Sequence, residues 1–367
     1  MKNKPEKRTG WQIFWCIVRR FFLLVFTVIA IAVVAAYLMC NMIFNGPSPN
    51  ARDRLTMSMR ESSAMKWFPA IFIGEDMVAE IEKAVDATLP ADLSDNTQIK
   101  IDLDSAVDGN ASEWDGHPDG IQLDYIRGDT YNAYVMIIRD PSRVYQATSH
   151  LPFSYEVPGE RITKKIEQEG AVAAINAGAF LDMSGTPQSH LTGSVPAGLV
   201  IAGSEVVYNG HHGLVPQKGF VGFNQDHVLI VAQSMTPEKA MELGIRDGCE
   251  FGPVLIMNGI VNEEAYHVNS GLNPRTAIGQ RTDGAVIFVC IDGRQASSLG
   301  GTYADLIDIM VEYEAVNACN LDGGSSTVML YRDHETGVVS MVNNYSLLQE
   351  EPRRMPTFFM VKPQTQN

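Results

Sequence analysis

Two short runs in the C-terminal third place residues that could do chemistry at matching positions: Val289-Cys290-Ile291-Asp292-Gly293-Arg294 and Asn320-Leu321-Asp322-Gly323-Gly324-Ser325-Ser326-Thr327. Each is an apolar, strand-like run that stops abruptly at Asp-Gly, a turn-forming pair. Two more segments carry polar residues at the border of an apolar run: Asn176, which follows Ala171–Ile175, and Asn273-Pro274-Arg275-Thr276, which precedes Ala277-Ile278. Two carboxylates, arginines and flexible glycines brought together would suit a polar or anionic substrate.

The elements between the two Asp-Gly stops say how they could meet. Thr302–Glu314 has the apolar spacing of an amphipathic helix. The order strand, helix, strand predicts a right-handed crossover joining parallel strands. Asp292 and Asp322 would then leave the carboxyl ends of two strands on one sheet edge, where α/β sheets collect their sites. The expected fold class is α/β, with mixed α+β as the alternative. Its sheet would be mixed, combining this parallel unit with antiparallel hairpins. A hairpin is expected around Asn258-Gly259, with further turns at Asn209-Gly210 and Lys218-Gly219. Short helices are expected at Arg161–Glu169 and Pro237–Leu243, and a last buried strand at Thr357–Val361.

The chain of 367 residues is long enough for one large domain with appendages. Residues 1–20 hold six Lys/Arg against one acid, although the whole chain carries a net charge of -15. The remainder is therefore strongly acidic, which excludes nucleic acid as a natural partner. Phe21–Phe44 is an uncharged run of 24 residues. As a helix it would measure about 36 Å, enough to cross a bilayer. The basic residues before it predict a cytoplasmic N-terminus, with everything after residue 45 outside the plasma membrane. The runner-up, a cleaved signal peptide, would have an unusually long apolar region. The expected organisation is a basic tail (1–20), a transmembrane helix (21–44), a linker and helical stalk (45–96), an acidic lead-in (97–125) and a catalytic domain (126–363). The five cysteines suggest no disulfide framework, and Cys249, Cys290 and Cys319 read as small core residues.

Asn176-x-Gly-x-Phe, Pro-Arg-Thr-Ala-Ile-Gly (274–279), Asp-Gly-Arg (292–294) and Leu-Asp-Gly-Gly-Ser-Ser (321–326) occur in that order. Together they resemble the phosphodiester glycosidase family, whose bacterial members are often labelled exopolysaccharide-related. The resemblance covers about residues 126–363. Ala177 and Ala179 stand where the family more often has Gly and Phe, and the Asp322 loop has two glycines where many members have three. The resemblance implies a hydrolase that cleaves a sugar-1-phosphodiester at the glycosidic C–O bond, in a cell-envelope glycan or its precursor. On that reading Arg275 and Arg294 bind the phosphate. Asp322 is the first candidate for nucleophile or base, and Asp292 the second carboxylate. Asn176 and Thr276 bond substrate or orient a carboxylate. Gly323, Gly324, Ser325 and Ser326 offer backbone N–H groups and hydroxyls to the anion.

Two rival readings stay open. A non-catalytic envelope scaffold binding phosphosugar polymers would need the arginines but neither aspartate. A metal-dependent phosphodiesterase would cleave the P–O bond and needs clustered ligands. No metal site and no cofactor are expected, a divalent cation stays open, and no protein partner is indicated. Asp102-x-Asp104-x-x-x-Asp108 only partly matches a calcium loop, and His211-His212 reads as a solvated turn. Asn344-Tyr345-Ser346 is a glycosylation sequon.

Overall fold

The computed structural model of the chain describes residues 10–60, 65–83, 91–101, 114, 116–181, 192–210, 219–345 and 351–364. The partial calcium-loop pattern at Asp102–Asp108 and His211-His212 lie outside them.

Three helices come first: α1 (Gly10–Phe44), α2 (Pro49–Arg60) and α3 (Ala70–Lys83), the last kinked at Gly74. Two further helices used below are α4 (Ile162–Glu169) and α5 (Tyr303–Glu312). The principal strands, in chain order, begin with β1 (Ile121–Arg127), β2 (Asn132–Ile138), β3 (Val144–Thr148), β4 (Ala173–Asn176), β5 (Gly198–Ala202) and β6 (Glu205–Gly210). They continue with β7 (Phe220–Asn224), β8 (Leu229–Ala232), β9 (Ile245–Glu250), β10 (Val254–Met257) and β11 (Ile260–Val261). The last six are β12 (Arg275–Arg281), β13 (Val286–Ile291), β14 (Ala315–Leu321), β15 (Met329–Arg332), β16 (Val339–Met341) and β17 (Thr357–Val361).

A seven-stranded sheet in the order β1-β2-β13-β12-β14-β10-β11 forms the centre. Two five-stranded sheets, β8-β7-β9-β5-β6 and β16-β15-β4-β17-β3, accompany it. The alternation of β13 shows how the layers pack. Val286, Phe288 and Cys290 face a core shared with both smaller sheets, through residues such as Phe223, Val231, Ile175 and Phe359. Ile287, Val289 and Ile291 face the opposite way, onto Leu306, Ile307 and Met310 of α5. Both faces of β13 are dry, which is why it reads as an unbroken apolar run.

That same run misleads about strand direction. Every pairing among the described strands is antiparallel, so the expected parallel strand-helix-strand unit is absent as a hydrogen-bonded pair. β13 and β14 are joined through α5, but β12 lies between them and pairs antiparallel with each. Continuous apolar strands usually signal a parallel sheet because both faces are covered. Here a helix layer and a sheet layer provide the covering, so burial carries no information about direction. The two crossover strands nevertheless point the same way, each being antiparallel to β12.

The hairpin at Asn258-Gly259 forms as expected, both residues at positive φ (55° and 72°) between Met257 and Ile260. Asn209-Gly210 is not a turn: both residues lie inside β6, and the reversal between β5 and β6 comes earlier, at Gly203-Ser204. The apolar N-terminal helix is longer than the 21–44 run. Its stretch Phe14–Phe44 has 31 residues, enough to cross a membrane, as an anchor or a signal sequence does.

Candidate active site

Three ends of the central sheet meet at one place. β12 starts where β13 and β14 stop: Arg275 pairs with Ile291, and Thr276 pairs with both Cys290 and Leu321. Pro274 is thereby wedged between the two Asp-Gly turns. A Cβ on Gly293 would lie 2.6 Å from Pro274 N, and one on Gly323 would lie 2.7 Å from Pro274 O. The close approach of backbone, rather than a left-handed φ, is what requires glycine at both turns.

Asn176 ties this edge to a second sheet. At the end of β4, it donates from Nδ2 to Asp322 O at 2.6 Å. Its Oδ1 accepts from Thr276 Oγ1 at 2.8 Å and from Val328 N at 3.2 Å. Asp322 N–H donates to Ala177 O at 3.1 Å, closing the clamp. Asn176 and Thr276 are both buried. They hold the Asp322 turn in place.

A cleft opens beside these turns. Asp292, Arg294, Gly324 and Ser325 line it, joined by Asn343, Asn344 and Tyr345 from the segment after β16. Asp292 is only 1% exposed. Its Oδ1 accepts from Asn344 N and its Oδ2 from Asn344 Nδ2, both at 2.9 Å. Burial pushes the Asp292 carboxyl above its usual range, and the hydrogen bonds from Asn344 pull in the other direction. The Tyr134 hydroxyl is pushed up to about 12, first by burial and then by the Asp292 charge. Arg294 holds a left-handed backbone (φ 57°), a strained geometry for a side-chain-bearing residue. Its Nη2 donates to Asn273 Oδ1 at 3.1 Å, and the guanidinium lies over Gly324.

Other expected positions differ. Asp322 does not line the cleft, and its Oδ1 accepts the N–H of Gly323 at 3.0 Å. Arg275 is placed away from the cleft. It is 4% exposed, donates to Gly301 O and Gly271 O, and stacks on the Tyr303 ring at 4.3 Å. A residue at the start of a central strand alternates between the two faces, and Arg275 falls on the α5 side while Thr276 falls on the Asn176 side. The backbone donors expected at residues 323–326 are largely engaged, within the turn and with Pro274. Gly323 N–H goes to Asp322, Gly324 N–H to Pro274 O and Ser326 N–H to Gly323 O. The turn and the abutting Pro274 carbonyl together satisfy these amides.

Sequence reasoning missed the contribution of residues 343–345. The only sequence signal there is the sequon, yet the Asn344 amide nitrogen is bonded to Asp292 and to Tyr134 Oη (2.7 Å). A cation that sequence reasoning also missed sits nearby. Arg353 donates from Nη1 to Ser325 Oγ at 3.2 Å and stacks on the Phe180 ring at 4.6 Å. Among the described residues, no group of three or more His, Cys, Asp or Glu side chains is placed to hold a metal ion.

The family profile for phosphodiester glycosidases matches residues 169–362, more than half of the chain and all of the cleft. The chain belongs to the phosphodiester glycosidase family. Among solved structures, the family's fold is shared with the zebrafish N-acetylglucosamine-1-phosphodiester alpha-N-acetylglucosaminidase catalytic domain, auto-inhibited by its pro-peptide. That likeness has a TM-score of 0.51 at 18% identity, over 66% of this chain and 82% of that one. A hypothetical protein from Synechocystis also matches, with a TM-score of 0.42 at 16% identity over 66% of this chain and 62% of that one. The SPbeta prophage-derived uncharacterized protein YomE of Bacillus subtilis (strain 168) is 34% identical over 87 residues, 23% of this chain. That match spans 14% of YomE.

Proposed function

We propose that this family member hydrolyses a sugar-1-phosphodiester, breaking the bond between the anomeric carbon and the phosphodiester oxygen. The observation that carries the reading is that Asp292 and Arg294 face one cleft, a buried carboxylate beside a phosphate-matching cation. Arg294 holds the phosphate, because its planar fork matches phosphate oxygens. Arg353, beside Ser325, adds a second positive charge. The departing phosphomonoester is a good leaving group, with a second pKa of roughly 6, so a strong general acid is not needed. Asp292 faces the anomeric carbon and either attacks it or draws a proton from water. The ranking of the two aspartates is thus reversed from the sequence expectation. Asp322 supports the turn that presents Ser325. The α1 helix anchors the enzyme in the plasma membrane with the domain outside, next to an envelope glycan or its precursor.

The test is turnover of a panel of sugar-1-phosphodiesters in oxygen-18 water. Label in the released sugar supports glycosidic cleavage. Label in the phosphate moves the reading to a P–O phosphodiesterase. Binding of a phosphosugar polymer with no turnover would make the protein a scaffold.

A further inference from the structure

α1 does not stand clear of the rest of the molecule. Its last residue, Phe44, is 1% exposed, covered by aromatic rings in and just before the first turn of α3. Phe72 stacks on Phe44 at 5.0 Å with 13° between planes, and Phe68 lies 6.4 Å from Phe44. Phe72 also reaches Tyr37 at 5.7 Å. Tyr37 lies seven residues before Phe44, about 10 Å down the helix axis. The chain therefore runs back along the outer end of the span rather than leaving it.

The outward side of this segment is apolar. Trp67 is 59% exposed and Ile71 61%, and Leu38 and Met42 in the last turns of α1 are exposed as well. The apolar stretch Trp67-Phe68-Pro69-Ala70-Ile71-Phe72-Ile73 is bounded by Lys66 on one side. On the other, Gly74 (φ 77°) kinks the helix, and Glu75-Asp76 follow at once. A tryptophan with a lysine at one end and carboxylates beyond a kink at the other is arranged for a membrane interface.

We propose that Lys66–Ile73 is an interfacial foot, lying in the outer leaflet of the bilayer that α1 crosses, with Trp67 and Ile71 against lipid. The inference rests on α1 being a membrane anchor, as proposed above. Lipid is favoured as the occupant because the segment carrying Trp67 and Ile71 is packed through Phe72 alongside the last two turns of α1, the apolar helix long enough to cross a membrane. The foot is tied to the catalytic domain. Arg60 forks onto Glu82 of α3 at 2.7 and 3.2 Å, joining α2 to α3. Ser58 of α2 donates to Leu272 O at 2.9 Å, one residue before the Asn273 that receives Arg294. The foot thus fixes how the cleft is presented to the membrane surface.

The experiment uses the full chain with Cys16 and Cys40 replaced by serine, in vesicles of phosphatidylcholine and phosphatidylglycerol. Spin labels are placed singly at Ile71→Cys, at Val33→Cys in α1 and at the exposed Ile260→Cys on the domain. Collision with oxygen, which partitions into lipid, is compared with collision with a water-soluble nickel chelate. The foot predicts that the Ile71 label sides with Val33, its oxygen-to-nickel ratio raised over that at Ile260. A lipid signal at Val33 with an aqueous signal at Ile71 overturns the foot and leaves the anchor standing. Aqueous signals at both overturn anchor and foot together. Shielding of Ile71 from both reagents, with spin–spin broadening, makes the face a contact between two copies and also overturns the proposal.

Discussion

Asp292 and Asn344, 52 residues apart in sequence, are joined by two hydrogen bonds of 2.9 Å, one from the Asn344 backbone N–H and one from its side-chain amide. The pair fixes the direction of the one carboxylate that, among the described residues, lines the cleft. It also anchors the segment 343–345 that closes one side of it.

Replacing Asp292 by asparagine is expected to lower kcat/KM by about 10²–10⁴-fold if it is the reacting acid or base. The substitution keeps the volume, so the circular dichroism spectrum should not change. Wild-type-like turnover on a verified substrate would remove Asp292 from the mechanism.

Asn344→Ala tests the pair itself. Its hydrogen bonds hold the Asp292 carboxyl down against the upward push of burial. Alanine keeps the backbone N–H bond but removes the side-chain one, so Asp292 should protonate at higher pH, and the acidic limb of the pH–rate profile should move upward. A lowered rate with an unmoved limb would reduce Asn344 to a structural role.

The raised Asp292 carboxyl also has a stability consequence. Its folded pKa lies above its unfolded value, so its contribution is fully present below the unfolded pKa and is lost as pH rises through the folded one. The asparagine variant lacks this titration. Its melting temperature relative to wild type should therefore improve as pH is raised from about 4 towards 7. A difference that stays flat across that window would show that Asp292 titrates normally.

Arg294→Ala and Arg275→Ala should separate cleanly. Arg294 faces the cleft, and its loss should weaken substrate binding, seen as a raised KM, with little effect on melting. Arg275 holds two backbone carbonyls and stacks on Tyr303. Its loss should cost about 2–4 kcal/mol of stability, measured by denaturant unfolding. The opposite pattern would return the phosphate site to Arg275.

Gly293→Ala and Gly323→Ala place a methyl group 2.6 and 2.7 Å from Pro274 backbone atoms. Each should destabilise by about 1–3 kcal/mol, since neither neighbour is a flexible side chain. Unchanged unfolding midpoints would mean that Pro274 yields.

The sequence by itself determined the motifs, the family, most local elements and the apolar N-terminal helix. α4, α5, the hairpin at Asn258-Gly259 and the last strand Thr357–Val361 follow from short-range patterns that local sterics and burial enforce. Only the tertiary structure decided the rest. Burial on both faces hides strand direction, so the placing of β12 between β13 and β14 could not be read from their apolar runs. The face on which Arg275 lies depends on register, and a one-residue step sends it towards α5 instead of the cleft. Asn344 carries no local signal of its bond to Asp292, because that contact exists only once the segment after β16 folds back across the sheet edge.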